Sequence, residues 1–252
     1  RKNGEVYPEL LSISAIKDNL GPVKHYVAVF TDISQIKTSE QQLHFLAYYD
    51  SLTHLPNRIF LVQQAELTLT AAIRHGAGLA VLFLDLDRFR EVNNALSHME
   101  GDALLIQAAE RLQQHTRQTD TVCRLGSDKF AILLPGADQD SAAAVANKVI
   151  IAFRQPFSLA GHRLRVSLSI GIALYPGDGQ TVNDLLKNAE AALYQAKQDG
   201  GNTHAFYASD MNNATFERLI LESELRNAIA DGQLRAHYQI KIGLSDGHLA
   251  GA

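Results

Sequence analysis

Residues 79–84, Leu-Ala-Val-Leu-Phe-Leu, are apolar without a break and run straight into Asp85-Leu86-Asp87. A run this short and uniform fits a strand covered on both faces, because a half-exposed strand alternates apolar with polar residues. The fold must therefore put this segment inside a sheet, with Asp85 the first charge at its end. A second constraint follows about forty residues later. Thr121-Val122-Cys123 and Phe130 to Leu134 read as two strands joined through Gly126-Ser127-Asp128-Lys129. Glycine tolerates the positive φ that such a hairpin turn needs. If Asp128 faces Asp85 across neighbouring strands, two carboxylates converge, and they repel unless a cation lies between them. Hard oxygen ligands in small number suit Mg²⁺ bound to a nucleotide phosphate. A solvated hairpin tip carries the same residues, so the turn alone leaves both readings open.

Periodicity predicts helices over 57–74, 99–116, 139–154 and 182–198, and strands over 79–85, 121–124, 130–134 and 165–174. That order gives an α+β fold with a ferredoxin-like β-α-β-β-α-β core: an antiparallel sheet with helices packed on one face. At 252 residues with a net charge of −4, the chain has length for a sizeable core and no basic surface for nucleic acid. The single Cys123 excludes an internal disulfide and reads as a small core residue. No apolar run approaches the ~20 residues that span a bilayer. The histidines lack metal-ligand spacing, and no P-loop glycine pattern is present.

Two flanking regions differ in pattern. Residues 4–16 and 22–33 alternate around Asp18-Asn19-Leu20-Gly21-Pro22 and predict a hairpin. Ile36, Leu43 and Leu46 are spaced like heptad positions in a polar stretch over 35–49. This predicts an amphipathic helix, either pairing two copies as a coiled coil or packing on its own domain. Phe216 to Ile229 reads as a further helix ending at Asp231-Gly232, and Leu234 to Gln239 alternates like a strand.

Five segments in order carry a resemblance. Asp50-Ser51-Leu52-Thr53-His54-Leu55-Pro56-Asn57-Arg58 is similar to the opening motif of the GGDEF family, the diguanylate cyclases. Asp85 to Asn93, with His98 and Gly101-Asp102 beyond, resembles its second motif. Gly126-Ser127-Asp128-Lys129-Phe130 stands at the signature, and Ser169-Ile170-Gly171-Ile172-Ala173 and Ala191 to Lys197 complete the pattern. The likeness covers about residues 48–207, with 50–207 as the domain. Residues 1–34 resemble the last hairpin of a PAS sensory domain, and 208–252 a linker helix with the start of an EAL phosphodiesterase domain. A chain opening at Arg1 reads as a piece of something longer. The expected location is the cytoplasm, with a tether to the inner membrane left open.

The resemblance implies a reaction joining two GTP molecules into cyclic di-GMP on two facing domains, with Mg²⁺ or Mn²⁺ on the nucleotide. It implies a homodimer through the 35–49 helix. Asp85 and Asp128 would hold the metal, with the Leu86 carbonyl as a further ligand and Asp128 catalytic. Asn93 and Asp102 would bond the guanine edge, and Lys197 a phosphate. Arg117 and Asp120 stand at the register of the family's inhibitory cyclic di-GMP site. Three residues depart from the pattern: Ser127 replaces a glycine, Lys129 an acid, and Gly201 an arginine expected on phosphate. A cation beside the metal position costs roughly 1–4 kcal/mol at about 4 Å, and a lost charge-assisted hydrogen bond about 1.5–3 kcal/mol. Lys129 reaching a phosphate would offset part of this. The expected function is a GTP- or cyclic di-GMP-binding regulatory module, with a slow cyclase as the alternative.

Overall fold

The computed structural model describes residues 6–17 and 23–211, with residues 4 and 21 and short stretches between 224 and 251. A ribbon of β1 (Glu9–Lys17) and β2 (Val23–Asp32) opens the chain, pairing antiparallel from Glu9↔Asp32 to Lys17↔Val23. This is the expected hairpin, with its first strand starting at Glu9 rather than residue 4. Helix α1 (Ser34–Tyr48) follows. Its Ile36, Leu43 and Leu46 are 55%, 68% and 64% exposed, so the apolar stripe does not pack on the chain's own domain.

The central domain runs α2 (Arg58–His75), β3 (Leu79–Leu86), α3 (Phe89–Ala95), α4 (His98–His115), β4 (Thr121–Gly126), β5 (Lys129–Pro135) and α5 (Gln139–Phe153). A small hairpin of β6 (Phe157–Leu159) and β7 (His162–Leu164) comes next, then β8 (Leu168–Tyr175), α6 (Val182–Gln198) and β9 (His204–Phe206). The five-stranded sheet has the order β4-β5-β3-β8-β9. Strands β4, β5, β3 and β8 pair antiparallel, whereas β9 joins β8 in parallel. That edge strand needs the α6 crossover, as parallel neighbours do. Three short elements, α3, the β6–β7 hairpin and β9, go beyond the predicted order, and β8 starts at Leu168 rather than residue 165. They are too brief to leave a periodic trace in sequence.

One expectation is corrected. Helices cover both faces of the sheet, not one. Ala80, Leu82, Leu84 and Leu86 of β3 pack with Phe130, Ile132 and Leu134 of β5 against α4 and α5. Leu79, Val81 and Phe83 pack with Ala131 and Leu133 against α2 and α6. All eight residues of β3 are buried, as its unbroken apolar run requires. Each large apolar side chain so buried contributes about 1.5–3 kcal/mol.

Local signals fix the helix ends. Asn57 caps α2 by accepting from the Ile59 and Phe60 amides. Asp138 with Ser141, and Thr181 with Asp184, form reciprocal capping boxes on α5 and α6. Helix α6 lays Leu185, Ala189, Ala192 and Ala196 inward, a helical repeat. Its close seat on β8 depends on Gly171, where a Cβ would fall on the Leu193 amide nitrogen and the Ala189 carbonyl oxygen.

At the C-terminal side, residues 224–225 and 227–229 are helical, and the rest of the helix read over 216–229 lies outside the described residues. Residues 235 and 237–239 carry no strand, contrary to the alternation there. The ribbon instead joins β10 (Lys241–Ile242) to β11 (Leu249–Gly251). No helix among the described residues is long and apolar enough to cross a membrane.

Gly171→Ala is expected to push α6 off β8 and destabilise the domain by about 1–3 kcal/mol. A lowered urea midpoint with an unchanged slope checks this.

Candidate functional site

The antiparallel register places the chemistry at one end of the sheet. Asp85 lies opposite Lys129 on β5 and Ser169 on β8. Strand alternation puts these three on the face covered by α6. Asp85 is only 5% exposed. Asp128 lies in the adjoining turn, and its carbonyl oxygen accepts from the Leu86 amide at 3.3 Å. The two predicted carboxylates are thus on neighbouring strand ends with Leu86 between them. Burial pushes the Asp85 carboxyl above its ordinary range, the Lys197 hydrogen bond opposes that, and the Asp128 charge adds to it.

Helix α6 answers this end of the sheet with two charges seven residues apart, two turns of one face. Lys197 Nζ stands 2.6 Å from Asp85 Oδ1, and Glu190 Oε1 stands 2.8 Å from Lys129 Nζ. The result alternates in sign: Glu190, Lys129, Asp85, Lys197. The Lys129 ammonium is held above its ordinary range, chiefly by the Glu190 hydrogen bond. Glu190 stands just before the motif that begins at Ala191, and no local signal assigns it this place.

The turn itself is clamped from the side. Arg124, 8% exposed, donates from Nε and Nη2 to the Ser127 carbonyl at 3.2 and 2.8 Å. Its Nη1 meets Asp50 Oδ1 at 2.8 Å. Burial alone would raise the Asp50 carboxyl, but hydrogen bonds from Thr53 and Arg124 outweigh it and hold the group below its usual value. The opening motif therefore braces the turn, a contact spanning 74 positions that no local spacing reveals. Ser127 sits at φ 49°, in the left-handed region, after Gly126 at φ 119°. Asp87, two residues beyond Asp85, accepts from Ser167 and Ser169 hydroxyls, each at 2.7 Å, and from the Asn202 backbone amide at 2.9 Å. A Cβ on Gly201 would lie 3.2 Å from that Asp87 carboxylate.

The remaining predicted residues form two further groups. Asn93 is on α3 and Asp102 on α4. Gly101 has no side chain because the Asn93 Oδ1 occupies the space of its Cβ. Asn93 Oδ1 is buried without a hydrogen-bond partner, whereas Asp102 is exposed. Away from both, Arg117 and Asp120 line a cavity of about 220 Å³ with His115, Ser141 and Lys148. Asp120 Oδ2 accepts the Arg117 amide at 2.8 Å, so its carboxylate shapes the loop. Lys148 is a cation that sequence reasoning missed, since one lysine on a helix face carries no motif. Cys123 is fully buried, and desolvation pushes its thiol up to about 12, as suits a core residue.

As oxygen donors, Asp85, Asp128 and the Leu86 carbonyl fit a hard divalent cation. Among the described residues no three His, Cys, Asp or Glu side chains gather as a metal cage. The rest of the coordination would have to come from phosphates and water, the usual arrangement for Mg²⁺.

Two predictions follow from this packing. Because the folded state raises Asp85, its charge opposes folding above the ordinary carboxyl range, and this cost disappears as the pH falls through the raised value. Asp85→Asn is expected to raise the thermal midpoint of metal-free protein at neutral pH, and by less as the pH is lowered, measured by calorimetry. Ser127→Gly relieves a left-handed residue and is expected to stabilise by about 1 kcal/mol, read from the urea midpoint.

Comparison with known proteins agrees with this geometry. The family model "Diguanylate cyclase, GGDEF domain" matches residues 47–203. The chain is 43% identical over 218 residues to the bifunctional diguanylate cyclase/cyclic di-GMP phosphodiesterase MucR of Pseudomonas aeruginosa, covering 86% of this chain and 32% of MucR. It is 36% identical over 217 residues to the cyclic di-GMP phosphodiesterase NbdA of the same organism, covering 86% of this chain and 28% of NbdA. It thus spans about a third of the length of these relatives. The solved structure of an N-terminally truncated TpbB from Pseudomonas aeruginosa, comprising only its GGDEF domain, matches with a TM-score of 0.65 at 39% identity, covering 67% of this chain and 99% of that chain. With its palm-like sheet and its motifs matched in order, the chain belongs to the GGDEF diguanylate cyclase family.

Proposed function

We propose that this GGDEF domain serves cyclic di-GMP signalling as a nucleotide-binding regulatory module rather than as an efficient cyclase. The observation that carries this reading is the pair of lysines around Asp85. Lys129 stands across the strand pair from it, and Lys197 contacts its oxygen at 2.6 Å. A divalent cation entering between Asp85 and Asp128 has to displace Lys197 and share the space with a second ammonium. Gly201 supplies no side chain for phosphate, and Ser127 adds one beside the turn.

Guanine recognition is retained in this reading. The buried, unpartnered Asn93 Oδ1 is an acceptor awaiting a donor, which the imino or amino group of guanine provides. Asp102 accepts a second donor on the same edge. The Arg117, Asp120 and Lys148 cavity takes cyclic di-GMP, with guanidinium and ammonium on its phosphates. The segments at 1–34 and 208–252 are the end of a PAS domain and the start of an EAL domain, so the module relays between sensor and phosphodiesterase. The open Ile36, Leu43 and Leu46 stripe pairs two copies, bringing two domains face to face.

A slow cyclase is the second reading, favoured by the presence of both carboxylates on adjoining strand ends. Mg²⁺ held by Asp85, Asp128 and the Leu86 carbonyl would neutralise phosphate charge and lower the pKa of the attacking 3′-hydroxyl. The chain's part would then be to hold guanine through Asn93 and Asp102 and the phosphates through Lys197, freed from Asp85. Similarity does not choose between the readings, since it extends both to MucR, named for making and degrading cyclic di-GMP, and to NbdA, named for degrading it.

Chromatography after long incubation with GTP and Mg²⁺, then Mn²⁺, tests the choice. The regulatory reading expects unchanged GTP, together with calorimetric binding of cyclic di-GMP that weakens about 10- to 100-fold in Arg117→Ala. Cyclic di-GMP that forms and vanishes in Asp128→Asn would establish the cyclase instead. Absence of binding by either nucleotide would remove the regulatory reading.

A further inference from the structure

The loop after α5 and the strand after it bring three arginines to one cleft. Arg154, Arg163 and Arg165, with Gln155 and Pro156, line a volume of about 490 Å³. All three side chains are exposed, and among the described residues none has a carboxylate partner or any other side-chain hydrogen bond. The chain as a whole is acidic, at −4, so this concentration of positive charge is local. Arg163 lies on β7 and Arg165 just beyond its end, and both line the same cleft. Arg154 reaches them from the end of α5.

The backbone that carries these arginines is fixed rather than loose. Arg111 of α4 donates to the carbonyls of Ala152, Gln155 and Pro156 at 3.4, 2.6 and 3.3 Å, and lies over the Phe157 ring at 3.7 Å. Gln107 pairs both ways with the Ser158 backbone, at 2.9 and 3.3 Å. On the other side, Ser167 is tied to Asp87 at 2.7 Å. Three like charges are thus presented on a pre-arranged frame, where they repel one another until an anion enters. A frame ordered in advance lowers the entropy lost on binding.

We propose that this cleft is a binding site for an oligophosphate, the phosphate chain of a nucleotide or free pyrophosphate. Guanidinium forks match phosphate oxygens in bidentate geometry, and three of them suit an anion that packs several charges into a small volume. The lining holds no aromatic side chain. The nearby Phe153 and Phe157 rings are buried, and Arg111 stands over both. No stacking surface is offered to a base, so recognition rests on phosphate alone. The cleft shares no lining residue with the Arg117 and Asp120 cavity.

The test is calorimetric titration of the whole chain with inorganic pyrophosphate in EDTA, which removes metal-dependent binding between Asp85 and Asp128. Saturable binding is expected, weakening about tenfold or more for each arginine removed in Arg163→Gln and Arg163→Gln/Arg165→Gln. Both residues are exposed, and unchanged thermal midpoints of the ligand-free variants establish that the fold is kept. In Arg117→Ala the affinity should stay within about twofold, since the two cavities are separate. GTP and ATP binding no tighter than pyrophosphate identifies the free anion as ligand, and tighter binding of both, still dependent on Arg163 and Arg165, identifies the nucleotide tail. The proposal is overturned by absence of pyrophosphate binding, by equal affinity in the double variant, by loss of binding in Arg117→Ala, or by an oligoglutamate peptide binding more tightly than pyrophosphate. It stands or falls independently of cyclase activity, which the EDTA condition suppresses.

Discussion

Strand β3 is buried along its whole length between two helical layers, and its last polar side chain has nowhere to go but the end of the sheet. That constraint orders the rest of the domain. Strands β5 and β8 flank β3 in fixed register, so Lys129 and Ser169 are set beside Asp85 by the same hydrogen bonds that build the sheet. A slip of one residue would turn Asp85 into the α4–α5 core and Leu86 toward the charges. The apolar run thereby specifies both the core and the position of its terminal carboxylate.

The charge at that position is handled by pairing. Burial penalises Asp85, and α6 returns Lys197 to it while sending Glu190 to Lys129. The half-exposed Lys129–Glu190 pair is of the kind that contributes little to stability. Its effect is to aim an ammonium that would otherwise crowd the carboxylates. The lysine at this position is therefore accommodated structurally.

Much of this was legible in the residues. The apolar run at 79–84 announced a doubly covered strand, Gly126-Ser127 a turn, and the helical repeats of α2, α4, α5 and α6 their extents to within a residue or two. The same run contradicts the expectation of helices on one face, since a strand covered twice needs two layers. What stayed hidden was contact between distant positions. Asp50 meets Arg124 across 74 residues and Lys129 meets Glu190 across 61, and periodicity records only neighbours along one element. The elements α3 and β9 are short enough that tertiary packing, not propensity, decides them. Asn93 and Asp102 could be named through the family resemblance, but the buried, partnerless oxygen of Asn93 appears only when Gly101 is packed against it.

The brace around the signature turn has a mechanical meaning. Asn57 donates to the Ala47 carbonyl near the end of α1, Arg124 donates its amide to Pro56, and the same Arg124 grips Asp50 and the Ser127 carbonyl. The end of α1 and the turn are thus bolted to one short segment, which is itself anchored in the apolar core by the fully buried Leu55. The helix end, the turn and the core beneath them therefore share one joint, with Leu55 on its inner side and Asp50 and Asn57 on its outer side. Such a joint ties the register of α1 to that of the turn, so neither can be re-set without the other.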